Sequence, residues 1–217
     1  MYALQGIQAK VIMAFLGIKI PHEIGRLLSK IEVPGDRTDI SEMHITLLHF
    51  SDNWPVSEIA KALEATYDVI CKIKPFTVKV ENVSCFPARD DNPVPVIAKV
   101  KSDDLHDMRD KLAKEFDKCG IEFSKIFKDF KPHITLAYAK EPIDKFEIDP
   151  TIEFAVQEVV LWGGDNGDDR IFITFPLKGP EKQKHSLLLQ KAEVFCKLAN
   201  NPQEFLTPSF ERRKTER

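Results

Sequence analysis

Apolar and polar positions divide this chain into short elements separated by turn-forming residues. The apolar run from Val11 to Ile18 continues to Ile20 and reads as a buried strand. Pro21 opens an amphipathic helix, "HEIGRLLSKIE", with Ile24, Leu27, Leu28 and Ile31 at helical spacing. "VPGDRTD" has the composition of a loop, and "HITLLHF" that of a strand closed by "SDNWP". Pro55 marks a second helix start, followed by Ile59, Leu63, Tyr67 and Ile70 along one face. "FTVKVENVSCF" alternates as a strand, "PARDDNP" is a loop, and "VPVIAKVK" is another strand. Ser102 is placed to N-cap "DDLHDMRDKLAKEFDKCG", which carries acidic residues in its first turn and ends at Gly120. "FKDFKPHITLAYA" holds the next strand. Two more are expected around "EFAVQEVVLW" and "RIFITFPL", with "GGDNGDD" as the turn between them.

The resulting order is β-α-β-α-β followed by β-α-β-β-β, an α+β arrangement in two related halves. Beyond Gly179 the pattern changes to an amphipathic stretch, "KQKHSLLLQKAEVFCKLANN", and a polar, basic tail. Residues 1–178 are therefore expected to form the domain, with 179–217 as a C-terminal helix and flexible tail.

One four-residue string occurs in both halves: His44-Ile45-Thr46-Leu47 and His133-Ile134-Thr135-Leu136. On a strand, alternate side chains share a face, so each His lies beside its Thr, roughly 7 Å apart at Cα. An imidazole can transfer a proton and a hydroxyl can donate to a phosphoryl oxygen. Two such pairs facing each other supply a base, an acid and two hydrogen-bond donors, the set needed to cleave a phosphodiester with no metal or cofactor. Imidazole pKa values near 6.5 let the two rings hold opposite protonation states around neutrality.

Composition narrows the partners. A net charge of −3 and a pI near 6.1 disfavour a dedicated binder of duplex DNA, but leave open a small nucleotide or a short RNA. Cys71, Cys85, Cys119 and Cys196 form no C-x-x-C pair, and free thiols in the cytoplasm are the expectation. The N-terminal apolar run lacks a basic leader and a cleavage site, and at eight residues it is too short to span a membrane.

"EMHITLLHF" and "FKPHITLAYA" closely resemble the two H-x-T-x signatures of the two-histidine (2H) phosphoesterase superfamily, which includes the cyclic phosphodiesterases once called 2′-5′ RNA ligases. The resemblance covers both motifs, their separation and the element order through about residue 178. It implies a bilobal α+β fold with antiparallel sheets flanked by helices and a central groove. It also implies metal-independent hydrolysis of 2′,3′-cyclic phosphates, 2′-5′ linkages or cyclic oligonucleotide signals. Carried over position by position, His44 and His133 are the catalytic pair, and Thr46 and Thr135 hold the phosphate.

Other residues divide between groove and scaffold. Strict alternation puts Phe50 on the His44 face, where it can shape the groove or join the core. The same alternation turns His49 and Tyr138 away from the motif histidines. Trp162 can stack a base or close a strand end. Arg89 and Arg37 are candidate phosphate contacts or plain surface charges. "DNGDD" reads as a solvated turn rather than a metal site. Three rival readings fit the same chain: a nucleotide-binding module with little turnover, an RNA-end ligase, and a structural protein with a coincidental repeat.

Overall fold

The computed structural model describes residues 14–50, 56–88, 92–125, 129–163 and 171–177. Arg89, the turn at 164–170, Cys196, His185 and the whole 179–217 extension lie outside them.

Nine strands and three helices follow one another in these segments. Strand β1 (Ala14–Lys19) leads into helix α1 (His22–Leu28), then β2 (Asp36–Arg37), a single 3₁₀ turn (Ile40–Glu42) and β3 (His44–His49). Helix α2 (Val56–Ile70) precedes β4 (Phe76–Cys85) and β5 (Val94–Lys101). Helix α3 (Asp103–Lys118) leads to β6 (His133–Ala139), β7 (Phe146–Val156), β8 (Glu158–Gly163) and β9 (Ile171–Pro176). Ser102 caps α3 as expected, its Oγ accepting from the Leu105 N–H at 3.3 Å. Such a cap stabilises a helix by about 1 kcal/mol.

The strands form two antiparallel sheets, ordered β3-β1-β8-β9 and β2-β6-β5-β4-β7. The architecture is α+β and two-lobed, and each lobe owns one HITL strand. Each sheet buries one face: Leu16, Ile18, Ile45 and Leu48 in the first, Val80, Val96, Ile134 and Leu136 in the second. Helices α2 and α3 pack on each other, α2 against β9 and α3 against β3. Leu63, Ile70, Leu105, Leu112 and Phe116 supply the apolar contacts and are fully buried. Each such side chain contributes roughly 1.5–3 kcal/mol on leaving water.

Two features depart from the sequence pattern. "VPGDRTD" contains a strand: Asp36 and Arg37 pair with Tyr138 and Ala137 across the lobes. Gly35 makes this possible. It has φ +95°, and a Cβ there would collide with the Tyr138 carbonyl group. The single strand expected around "EFAVQEVVLW" is two, broken at Gln157, with β7 in the second sheet and β8 in the first. A run of alternating residues that changes sheets looks continuous because both of its halves bury one face.

The lobes also exchange edges. After β1 and α1 the chain visits the second sheet, where Thr38 N–H donates to Leu136 O at 2.9 Å. After β5 and α3 it visits the first, where Ser124 N–H donates to His49 O at 2.7 Å. These crossings tie β3 and β6 together, and the two strands touch.

Candidate active site

His44 and His133 open the two touching strands. Both rings are anchored in the same way. His44 Nδ1 lies 2.6 Å from the Glu42 carbonyl oxygen, and His133 Nδ1 lies 2.7 Å from the Lys131 carbonyl oxygen. A carbonyl only accepts, so each Nδ1 carries the hydrogen and each Nε2 is left as the nitrogen that titrates. The sequence equivalence of the motifs thus extends to ring orientation and tautomer.

Thr46 and Thr135 sit two residues on, half-buried like the histidines and on the same face of their strands. Opposite Thr46 on β1 is Gly17. A Cβ at Gly17 would meet the Ile45 carbonyl oxygen at 2.8 Å and the Phe15 and Trp162 rings at 3.2 Å. The missing side chain lets the Phe15 and Trp162 rings close over this position.

Strict alternation fails just past each threonine. Gly17 pairs with Thr46 but Leu16 with Leu48, so Leu47 is an extra residue. Ile97 pairs with Thr135 but Val96 with Ala137, so Leu136 is its counterpart. Each bulge keeps two successive residues on the core side and reverses the parity beyond. His49 and Tyr138 therefore come onto the histidine face and are exposed, Tyr138 by 48%. Phe50 turns inward instead: it is fully buried, stacked on Phe116 with centroids 5.7 Å apart, and does not line the groove.

Aromatic rings flank both histidines. Phe15 packs on His44 at 4.6 Å and stacks on Trp162 at 5.0 Å, with Trp162 itself 5.7 Å from His44. In the other lobe Phe86 and His133 pack edge to face with centroids 4.7 Å apart. Trp162 is on the site face but only 6% exposed, so it backs Phe15 and His44 more than it presents a surface. Arg37 is structural. Its guanidinium donates to the carbonyls of Leu28, Ser29 and Ile31 at 3.3, 2.8 and 2.7 Å, completing the C-terminal end of α1.

The His133 pKa is lowered from 6.5, first by burial and also by the charge of His44, with the Lys131 carbonyl opposing. The two imidazoles stand at the starts of strands that lie against each other.

A sequence profile of the 2′-5′ RNA ligase superfamily matches residues 34–168, more than half of the chain and both motifs. The chain belongs to this superfamily, the 2H phosphoesterases. Several solved structures superimpose on it. The Thermus thermophilus protein TT0787 matches with a TM-score of 0.64 and 20% identity over 78% of this chain and 100% of its own. A structure described as a phosphoesterase gives 0.61 and 16% over 77% and 99%. Escherichia coli LigT complexed with 3′-AMP gives 0.61 and 17% over 78% and 100%. At these identities the likeness is one of fold. No curated protein sequence is significantly similar to the chain.

Phe15 and Phe86, which pack on the two motif histidines, and His49 and Tyr138, which share their strand faces, are not marked as such in the sequence. Phe15 lies inside a uniformly apolar run, where alternation gives no cue to the exposed face. Phe86 follows its strand, and the other two depend on bulges that leave no mark in residue type.

Proposed function

We propose that this protein is a metal-independent phosphodiesterase acting on a ribonucleotide phosphodiester, with His44 and His133 as its acid–base pair. The observation that carries the reading is the matched anchoring of both Nδ1 atoms, which makes both Nε2 atoms the titrating nitrogens of touching strands. Superfamily membership supports phosphoester chemistry, and LigT, of similar fold, is complexed with 3′-AMP, a ribonucleoside monophosphate.

The lowered pKa suits His133 to the role of base. On a 2′,3′-cyclic phosphate, His133 Nε2 takes a proton from water as the water oxygen bonds to phosphorus. The bond from phosphorus to one ribose oxygen breaks, and His44 Nε2 gives that oxygen its proton. Thr46 and Thr135 donate to the two non-bridging oxygens, where negative charge grows in the transition state. The product is a phosphomonoester, and the two rings exchange protonation states and reset through solvent. With a 5′-hydroxyl in place of water as the nucleophile, the same two proton transfers and the same broken phosphorus–ribose oxygen bond would join two RNA ends, the reaction the superfamily name records.

The test is an incubation in EDTA with 2′,3′-cyclic nucleotides, 2′-5′ oligoadenylate and cyclic dinucleotides, comparing wild type with His44→Ala/His133→Ala by mass spectrometry. Turnover by wild type alone supports the reading and names the substrate. Ligand-raised Tm without turnover replaces it with a nucleotide-binding module, and product lengthening replaces it with ligation.

A further inference from the structure

We propose that Lys19 and Lys99 are outer anion contacts, one on each side of the histidine pair, so that the preferred substrate carries a phosphate beyond the scissile one. This rests on the phosphodiesterase reading and narrows its substrate class. The strand register places Lys19 directly opposite His44 on β1 and Lys99 directly opposite His133 on β5. Directly opposed residues of an antiparallel pair project from the same face. Because β1 lies outside β3 and β5 outside β6, the row across the site reads lysine, histidine, histidine, lysine. Each lysine stands about one strand spacing, ~4.8 Å, beyond its histidine.

Both lysines are exposed, and neither has an ion-pair partner among the described residues. The β1–β8 pairing ends at Gly17–Val160, short of Lys19. Beyond Lys99 the row continues to Asn82 and Glu147, and the Glu147 carboxylate is held by Lys145 at 2.9 Å. The next lysine of that strand, Lys101, is engaged by Glu81 at 3.7 Å. Glu147 and Glu81 thus leave Lys99 facing the site.

A lysine directly opposite the motif histidine occurs in both lobes, so an anion at the site meets positive charge from either sheet. The scissile phosphate has two non-bridging oxygens, and Thr46 and Thr135 already answer them. The ammonium groups lie further out on flexible stems, where the next phosphate of a chain or a terminal phosphate would sit. The substrate class is then an oligonucleotide or a terminally phosphorylated nucleotide, rather than a bare nucleoside cyclic phosphate.

The experiment compares adenosine 2′,3′-cyclic phosphate with its 5′-phosphorylated counterpart at low salt, in wild type, Lys19→Gln/Lys99→Gln and Lys19→Arg/Lys99→Arg. Wild type is expected to favour the 5′-phosphorylated substrate in kcat/KM. The Gln pair should lose that preference by roughly two- to five-fold, the contribution of the one exposed ammonium that the added phosphate reaches. The Arg pair should retain it, and added salt should erode it. A Gln pair with the wild-type preference, or one that loses both substrates equally, overturns the outer contacts. If wild type turns over neither compound, the hydrolase reading is decided by the 2′-5′ oligoadenylate and cyclic dinucleotide incubations. The lysine contact is then decided by calorimetry with adenosine 3′,5′-bisphosphate against 3′-AMP. Tighter binding of the bisphosphate that the Gln pair abolishes sustains it, and equal binding rejects it.

Discussion

Leu47 and Leu136 are the extra residues of matching β-bulges, one in each motif strand. The bulges keep the histidine and threonine on the site face and then bring His49 and Tyr138 round to join them. Tyr138→Ala should therefore act on binding and leave folding alone. Its exposed ring contributes little to stability, so Tm should barely move, while KM for a ribonucleotide substrate rises several-fold. A truncation that leaves KM untouched removes Tyr138 from the groove surface.

Phe50 gives the opposite forecast. Fully buried against Phe116, it should lose about 3–5 kcal/mol on Phe50→Ala through lost burial and the cavity left behind. Denaturant unfolding measures this, and KM of the surviving folded fraction should match wild type. A stable variant with a raised KM would return Phe50 to the groove.

The lowered His133 pKa makes a two-part pH prediction. The neutral ring is the form the fold favours. The contribution of this group is therefore fully present above the unfolded value of 6.5 and is lost as pH falls through the depressed folded value. Tm should fall with acidification in that window, and His133→Gln should flatten the slope. In catalysis kcat/KM should be bell-shaped, with an acid limb below 6.5 reporting His133 as base. An acid limb that survives His133→Gln assigns it to another group.

Thr46→Val and Thr135→Val keep the β-branched shape and remove the hydroxyl. Each should lower kcat on the order of 10²-fold with little change in KM, because the donor acts on charge that develops in the transition state. Serine at either place should restore most of the rate. Loss of KM alone would recast the hydroxyls as ground-state contacts.

Gly35→Ala should destabilise the fold and loosen the joint between lobes. A Cβ driven into the Tyr138 carbonyl, at φ +95°, forces β2 off β6. The cost is expected at roughly 1–3 kcal/mol. Hydrogen exchange at Thr38 N–H, which bonds to Leu136 O, would report the opening directly. Unchanged protection there means the backbone absorbs the methyl group.

What the sequence determined by itself was local. Ser102 as a cap, Leu63 and Ile70 on the buried face of α2, and His beside Thr at i+2 follow from periodicity and side-chain chemistry. The motif identity was enough to name the superfamily. What only the tertiary structure decided depends on partners distant in the chain. The crossing of β2 to β6 is set by contact between Gly35 and Tyr138. The split of one apparent strand at Gln157 reflects which sheet has a vacant edge. The groove face of His49, Tyr138 and Phe50 turns on the pairing register, because a bulge is a mismatch between two strands and neither strand alone records it. Arg37 reads as a surface charge until α1 is seen to end within reach of its guanidinium. The histidines were legible because their chemistry is written in residue type. Their surroundings were not, because pairing geometry is written only in the folded chain.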